Sequence, residues 1–114
     1  MVEFVGFRGP ACLLQASGRV NVLNADRFEA NAMRAMAGTD CDVIIDASGL
    51  TYVSTSGLRV FLHLWQELRK RHHNLYVCSL QPYIQYVFEL IGFDKLIPIQ
   101  TDVESALAAA ETET

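Results

Sequence analysis

The chain has 114 residues, 51% of them hydrophobic and 19% charged, with a formal net charge of −4. That length suits one core, which typically serves ~100–150 residues, and the composition is that of a folded domain and not a disordered chain. An acidic balance excludes a general nucleic-acid binder, which needs clustered Lys and Arg to neutralise phosphate; no apolar run reaches the ~18–20 residues of a membrane span, and the opening MVEFVGFRGPACLL lacks the basic-then-apolar order of a secretory leader.

Residues 2–7, VEFVGF, alternate as a strand does, and Gly9-Pro10 is a turn signal. Residues 11–16, ACLLQA, read as the second strand of a hairpin. A third extended piece, 19–22, leads to Asn24, expected as the N-cap of a helix over 25–37, with Phe28, Ala32, Ala35 and Met36 on its inner side and Gly38 at its end. The unbroken run DVIID, 42–46, predicts a strand buried on both faces. Residues 47–56, rich in Ser, Thr and Gly, read as a loop. A long helix follows over 56–72, with Thr55 as its natural N-cap and Leu58, Leu62, Trp65 and Leu68 as its core stripe. Arg69, Lys70 and Arg71 fall in its last turns, where cations complement the dipole.

Residues 75–79, LYVCS, predict another buried strand. Pro82 opens a third helix that Gly92 stops. Residues 95–99, KLIPI, predict a short strand that Pro98 confines to a sheet edge. Thr101 and Glu104 form a capping box for a last helix over 102–110, and 111–114 read as a frayed tail. Strands alternating with helices from residue 42 onwards require a largely parallel sheet with crossovers, whereas the opening hairpin is antiparallel. Whether helices cover both faces of that sheet is left open.

Little catalytic chemistry is visible. The three cysteines, Cys12, Cys41 and Cys78, fit neither a disulfide framework nor a zinc knuckle and read as reduced, packed thiols. The histidines are His63, His72 and His73; the adjacent pair point about 100° apart on a helix and cannot share an ion. No nucleophile elbow and no phosphate-cradling glycine loop is present, so no cofactor and no metal are expected. The informative stretch runs from Asp46 to Arg59. It follows a buried strand and opens a helix, an edge of α/β sheets that ligands and partners favour. On local grounds alone, helix capping is the simpler account of its hydroxyls. Arg59 lies close to the helix start, where a cation opposes the dipole, and residues 58–64 are apolar on more than one stripe, which offers a partner surface.

The run IIDASGLTYVSTSGLRVFLHL resembles the signature of STAS domains, in particular the bacterial anti-sigma factor antagonists, whose motif has the form Phe/Tyr-Ile/Val-Asp-Ser-Ser-Gly-Leu. Gly18-Arg-Val-Asn21 is similar to the family's Gly-Glu-Leu-Asp before the first helix, residues 75–80 with Pro82 to its strand-then-helix segment, and 88–96, FELIGFDKL, to its third helix and last strand. Coverage is roughly residues 3–110 of a single domain spanning 1–114. The resemblance implies an α/β STAS-like fold with a mixed, mostly parallel sheet, an N-terminal β-hairpin and about four amphipathic helices.

It implies an interaction module and not an enzyme. Such a protein is cytoplasmic, monomeric or weakly dimeric, and binds a kinase-like anti-sigma factor of the ATPase type, freeing a sigma factor. The anti-sigma factor phosphorylates the hydroxyl after the motif's Asp, and a phosphatase reverses the step. By position the acceptor here is Thr55, with Ser56 as the alternative. Asn21, Ser54, Thr55, Ser56, Gly57 and Arg59 would meet the partner. Ser54 and Asn21 stand where the family usually has Asp. Other STAS domains are docking subunits of lipid-transport ATPases or stress-sensing complexes, where Thr55 would dock without being phosphorylated. A small enzyme using the Ser/Thr stretch is a third reading, one that needs an acid or base beside residues 54–56.

Overall fold

In the computed structural model, which describes residues 1–112, alternation and turn chemistry at the start of the chain produce a hairpin. Strand β1 (Val2–Arg8) pairs antiparallel with β2 (Ala11–Val20), from Val2 opposite Ala16 to Arg8 opposite Ala11. Gly9, with φ +54°, makes the reversal that an L side chain resists. The expected third extended piece is the end of β2, which runs on to Val20.

From β2 the chain alternates as the sequence requires: α1 (Ala25–Met36), β3 (Asp42–Val53), α2 (Thr55–Lys70), β4 (Leu75–Cys78), α3 (Pro82–Leu90), a 3₁₀ turn at Phe93–Lys95, β5 (Ile99–Gln100) and α4 (Val103–Thr112). The five strands lie in the order β1-β2-β3-β4-β5, and every pair after the hairpin is parallel.

Both sheet faces are covered, unequally. On one face α1, α2 and α3 bury Phe28, Met36, Phe61, Leu64, Leu68 and Phe88 against Leu14, Val43, Ile45, Leu75 and Val77. A run of rings ties these helices together: Phe28–Phe61 at 6.1 Å, Phe61–Phe88 at 5.4 Å and Phe88–Phe93 at 5.7 Å between centroids. On the other face α4 alone sets Ala106 and Ala110 on Ala11, Leu13, Ile44, Tyr76 and Cys78.

Several local expectations are corrected. Residues 47–53 are strand, not loop, because they pair with the tail of β2: Gly49 opposite Ser17, Leu50 opposite Gly18 and Val53 opposite Val20. Pairing overrides a turn-like composition there. The buried stripe of α2 is Gly57, Val60, Phe61, Leu64 and Leu68, whereas Leu58, Leu62 and Trp65 are only half-buried flank. Residues 95–99 are not one strand; the 3₁₀ turn consumes their start and only Ile99 and Gln100 pair, at the expected sheet edge. Asn24 does not cap α1 with its side chain. In α4 the capping acceptor is Asp102, whose Oδ1 takes the Ser105 N–H at 2.8 Å, in place of the Thr101–Glu104 box. That bond, together with the Ser105 hydroxyl, holds the Asp102 carboxyl below the usual carboxylate range. The expected frayed tail, 111–114, lies partly outside the described residues; Glu111 and Thr112 belong to α4.

Candidate functional site

The tails of β2 and β3 extend beyond the rest of the sheet. β1 pairs with β2 only as far as Ala16, and β4 reaches only Asp46. The Met1 carbonyl still accepts the Ser17 N–H at 2.7 Å, and beyond it the segments 18–20 and 49–53 project as a two-stranded platform, with α1 and α2 springing from its tip. The Ser54 N–H donates to the Val20 carbonyl at 2.8 Å, which fixes the start of α2 against the end of β2.

One residue joins β3 to α2, and it is the cap. Ser54 is extended, and its Oγ accepts the Gly57 N–H at 3.1 Å. Capping thus falls on Ser54, not on Thr55 as expected, and Thr55 is the first helical residue. Serine performs the acceptor role that an aspartate would perform at this position. Gly57 lies against both strand tails: a Cβ there would stand 2.8 Å from Val53 Cγ1 and 2.9 Å from Val20 Cγ1. The motif glycine is therefore a packing requirement that sets how deeply α2 seats.

Relieved of capping, Thr55 is exposed, and among the described residues its hydroxyl makes no hydrogen bond. Ser56 is half-buried and Arg59 exposed. Asn21, by contrast, is turned into its own turn. Its Oδ1 accepts the Leu23 N–H at 2.9 Å and the Asn24 N–H at 3.2 Å. Asn24 answers with Oδ1 on the Asn21 N–H and Nδ2 on the Arg19 carbonyl, both at 2.9 Å. Asn21 and Asn24 thereby shape the β2–α1 turn, and its apex presents Val22 and Leu23, 74% and 90% exposed.

Val22 and Leu23 were not singled out in the sequence. The available signal was two apolar residues held between two asparagines, where turn chemistry leaves no core for them to enter. A groove of about 270 Å³ runs between α1 and α2 from this apex, lined by Val22, Asp26, Glu29, Ser56, Arg59 and His63 among others. His63 Nδ1 meets Glu29 Oε1 at 2.7 Å and ties the two helices together.

Ser56, His63 and Glu29 have the residue types of a hydrolytic triad but not its geometry. Ser56 and His63 are seven residues apart on one helix, roughly 10 Å along its axis, and no hydrogen bond joins them. Asp46, whose Oδ1 takes the Ser48 N–H at 3.0 Å, is at the other end of the β3 extension, roughly 20 Å from Val53 at strand rise. Among the described residues no side chain hydrogen-bonds the Thr55 hydroxyl, as a general base poised there would.

The remaining candidates are structural. His73 Nε2 lies 2.8 Å from Asp40 Oδ1 and its Nδ1 lies 3.3 Å from Asp42 Oδ1, bracing the start of β3 far from Thr55. Cys12 and Cys78 are fully buried, and burial pushes both thiols up to about 11.

A sheet of this order, helices placed this way, and a hydroxyl-bearing strand-to-helix junction define a STAS domain. The STAS family model matches residues 5–106, and the chain belongs to that family. Among relatives, BtrV of Bordetella bronchiseptica, whose name assigns it provisionally as an anti-sigma factor antagonist, is 36% identical over 102 residues, covering 90% of this chain and 85% of the relative. An anti-sigma F factor antagonist of Paenibacillus polymyxa is 22% identical over 96% of this chain and 94% of its own. The crystal structure of an anti-sigma factor antagonist from Mycobacterium paratuberculosis superposes with a TM-score of 0.82, at 20% identity, over 97% of this chain and 95% of that one. No helix among the described residues is long and apolar enough to cross a membrane.

Proposed function

We propose that this protein is an anti-sigma factor antagonist. It binds a kinase-like anti-sigma factor of the ATPase type, releases a sigma factor, and is switched off by phosphorylation of Thr55. The names of its relatives support the anti-sigma factor antagonist reading and say nothing of the kinase type. The observation that carries the phosphoswitch is the position of Thr55: exposed and not engaged in capping, next to Ser54, whose N–H is tied to Val20 two residues before the exposed Val22 and Leu23.

The geometry suits docking followed by modification. Apolar Val22 and Leu23 offer area to bury, Arg59 offers a charge, and Thr55 lies on the same tip, so a bound kinase meets its acceptor at the interface. Ser56, half-buried, is the lesser acceptor, and Ser54 and Gly57 hold the junction in shape. In the modification step the Thr55 Oγ attacks the γ-phosphorus of a nucleoside triphosphate held by the partner. The diphosphate leaves and the hydroxyl proton goes to a base on the partner, since none is in reach here. A phosphatase reverses this with water, releasing inorganic phosphate.

The product carries about −1.5 to −2 charges where the unmodified Thr55 side chain is neutral. Buried unpaired in an interface, such an anion costs several kcal/mol as an order of magnitude. A loss of ~3 kcal/mol already weakens binding about a hundredfold. Its modification state therefore decides whether its partner is held; in this reading the protein works in the cytoplasm as a monomer or weak dimer.

Calorimetric titration of the kinase-like anti-sigma factor tests this. Thr55→Val should bind within about threefold of the unmodified protein and resist modification, while Thr55→Glu should bind at least about tenfold more weakly. Equal affinity for both variants overturns the switch. No binding by the unmodified protein, with binding to a transporter subunit or stress complex, would replace the partner.

A further inference from the structure

The junction carries a counter-charge that the unmodified protein does not use. Arg59 follows Thr55 by four residues on α2, so the two share a helix face with Cβ atoms about 5–6 Å apart. Helical side chains tilt toward the N-terminus, so a residue four positions on can extend its side chain toward position 55; in the unmodified protein Arg59 lines the groove between α1 and α2. Arg59 is exposed, and among the described residues it makes no hydrogen bond and no ion pair.

The nearby carboxylates leave it unclaimed. Glu29 is held by His63 at 2.7 Å, and Asp26, which lines the same groove, forms no ion pair with it. The first turn of α2 contains no acidic residue. Arg59 opens the second turn of α2, and among the described residues no acidic group pairs with it.

We infer that Arg59 is the intramolecular clamp for a phosphate on Thr55. The inference rests on the reading of Thr55 as acceptor and adds how that site is regulated. Guanidinium is suited to the task because its planar fork bonds two phosphate oxygens at once. Phosphorylation then acts twice on the docking surface: it adds a dianion, and it withdraws a cation that the unmodified surface offers to an acidic partner. A lysine at this position would keep the charge but lose the fork.

The test is ³¹P NMR titration of the full chain with phosphothreonine installed at position 55 by genetic-code expansion. Pairing favours the dianion, so the second phosphate ionisation should lie below its ordinary value of about 6. Arg59→Gln should raise it by about half a unit, a threefold change in the ionisation constant, and Arg59→Lys should fall between. The same value in the native and Arg59→Gln proteins overturns the clamp, whether that value is ordinary or lowered by the helix start alone. Because the phosphothreonine is incorporated during translation, this titration reads the clamp even if Thr55 is never modified in cells; mapping of phosphate on the cellular protein reads that question separately.

Discussion

Ser54 shows how one side chain decides what its neighbour can do. Its Oγ satisfies the Gly57 N–H, and this leaves the Thr55 hydroxyl available. Ser54→Ala should remove about 1 kcal/mol of stability, seen as a fall of about 4 °C in thermal midpoint for a domain of this size; Ser54→Asp should retain the cap and the stability. The cysteines make a second residue-scale prediction. Iodoacetamide at pH 8 should label Cys41 in the native protein and spare Cys12 and Cys78, whose burial raises them to about 11 and keeps them as thiols. The raised values also set a pH dependence. The unfolded thiols ionise above about 9 while the folded ones stay protonated, so their contribution to stability is full below pH 9 and declines as pH rises toward 11. Denaturant midpoints across that range should fall less for a Cys12→Ala, Cys78→Ala double variant than for the native chain.

The ends of α2 are fitted by opposite means. At its start the absence of a side chain at Gly57 lets the helix close on Val20 and Val53. Gly57→Ala would gain up to about 1 kcal/mol in helix propensity but force contacts under 3 Å with stiff valine methyl groups, an overpacking cost of roughly 1–3 kcal/mol. The cost outweighs the gain, so chemical denaturation should show a net loss of stability. At its end the His73 N–H bonds the Leu68 carbonyl and the His72 N–H bonds the Arg69 carbonyl, with His72 left-handed at φ 63°. This is a Schellman stop with histidine where glycine is favoured. His72→Gly should therefore stabilise by roughly 0.5–1 kcal/mol, measurable as a higher urea midpoint.

These elements also show what the sequence could and could not disclose. The order of strands and helices was legible because hydrophobic period and turn residues agree along most of the chain, as in DVIID and LYVCS. The strand through residues 47–53 was not, because its partner is the tail of β2, thirty-odd residues away, and Ser, Thr and Gly locally read as loop. The phase of α2 was ambiguous because apolar residues occupy more than one of its stripes; Gly57 and the ring of Phe61 select the buried one. The stretch bearing Thr55 stood out from its hydroxyls and Gly57. Its exposure depended on which of two adjacent hydroxyls caps the helix, and a one-residue shift in the strand end decides that.

Across the whole molecule, the tip that bears Thr55 is built as an extension of the sheet. β2 and β3 carry their pairing past the rest of the sheet to Val20 and Val53, and both helices that flank the groove begin there. Charge can be added at such a place without loosening the fold, because an anion at a helix start is favourable by about 0.3–1 kcal/mol. Thr55→Glu should therefore keep or slightly raise the thermal midpoint while it weakens partner binding. A variant that lost both together would indicate that the switch acts by unfolding the tip.

Peptide mass spectrometry of the protein isolated from its own cells is the decisive check on Thr55 as the switch. Thr55 should carry a phosphate whose occupancy changes with growth condition and which Thr55→Ala abolishes. Absence of phosphate from Thr55 and Ser56 under every condition, in a protein still bound to its partner, would contradict it.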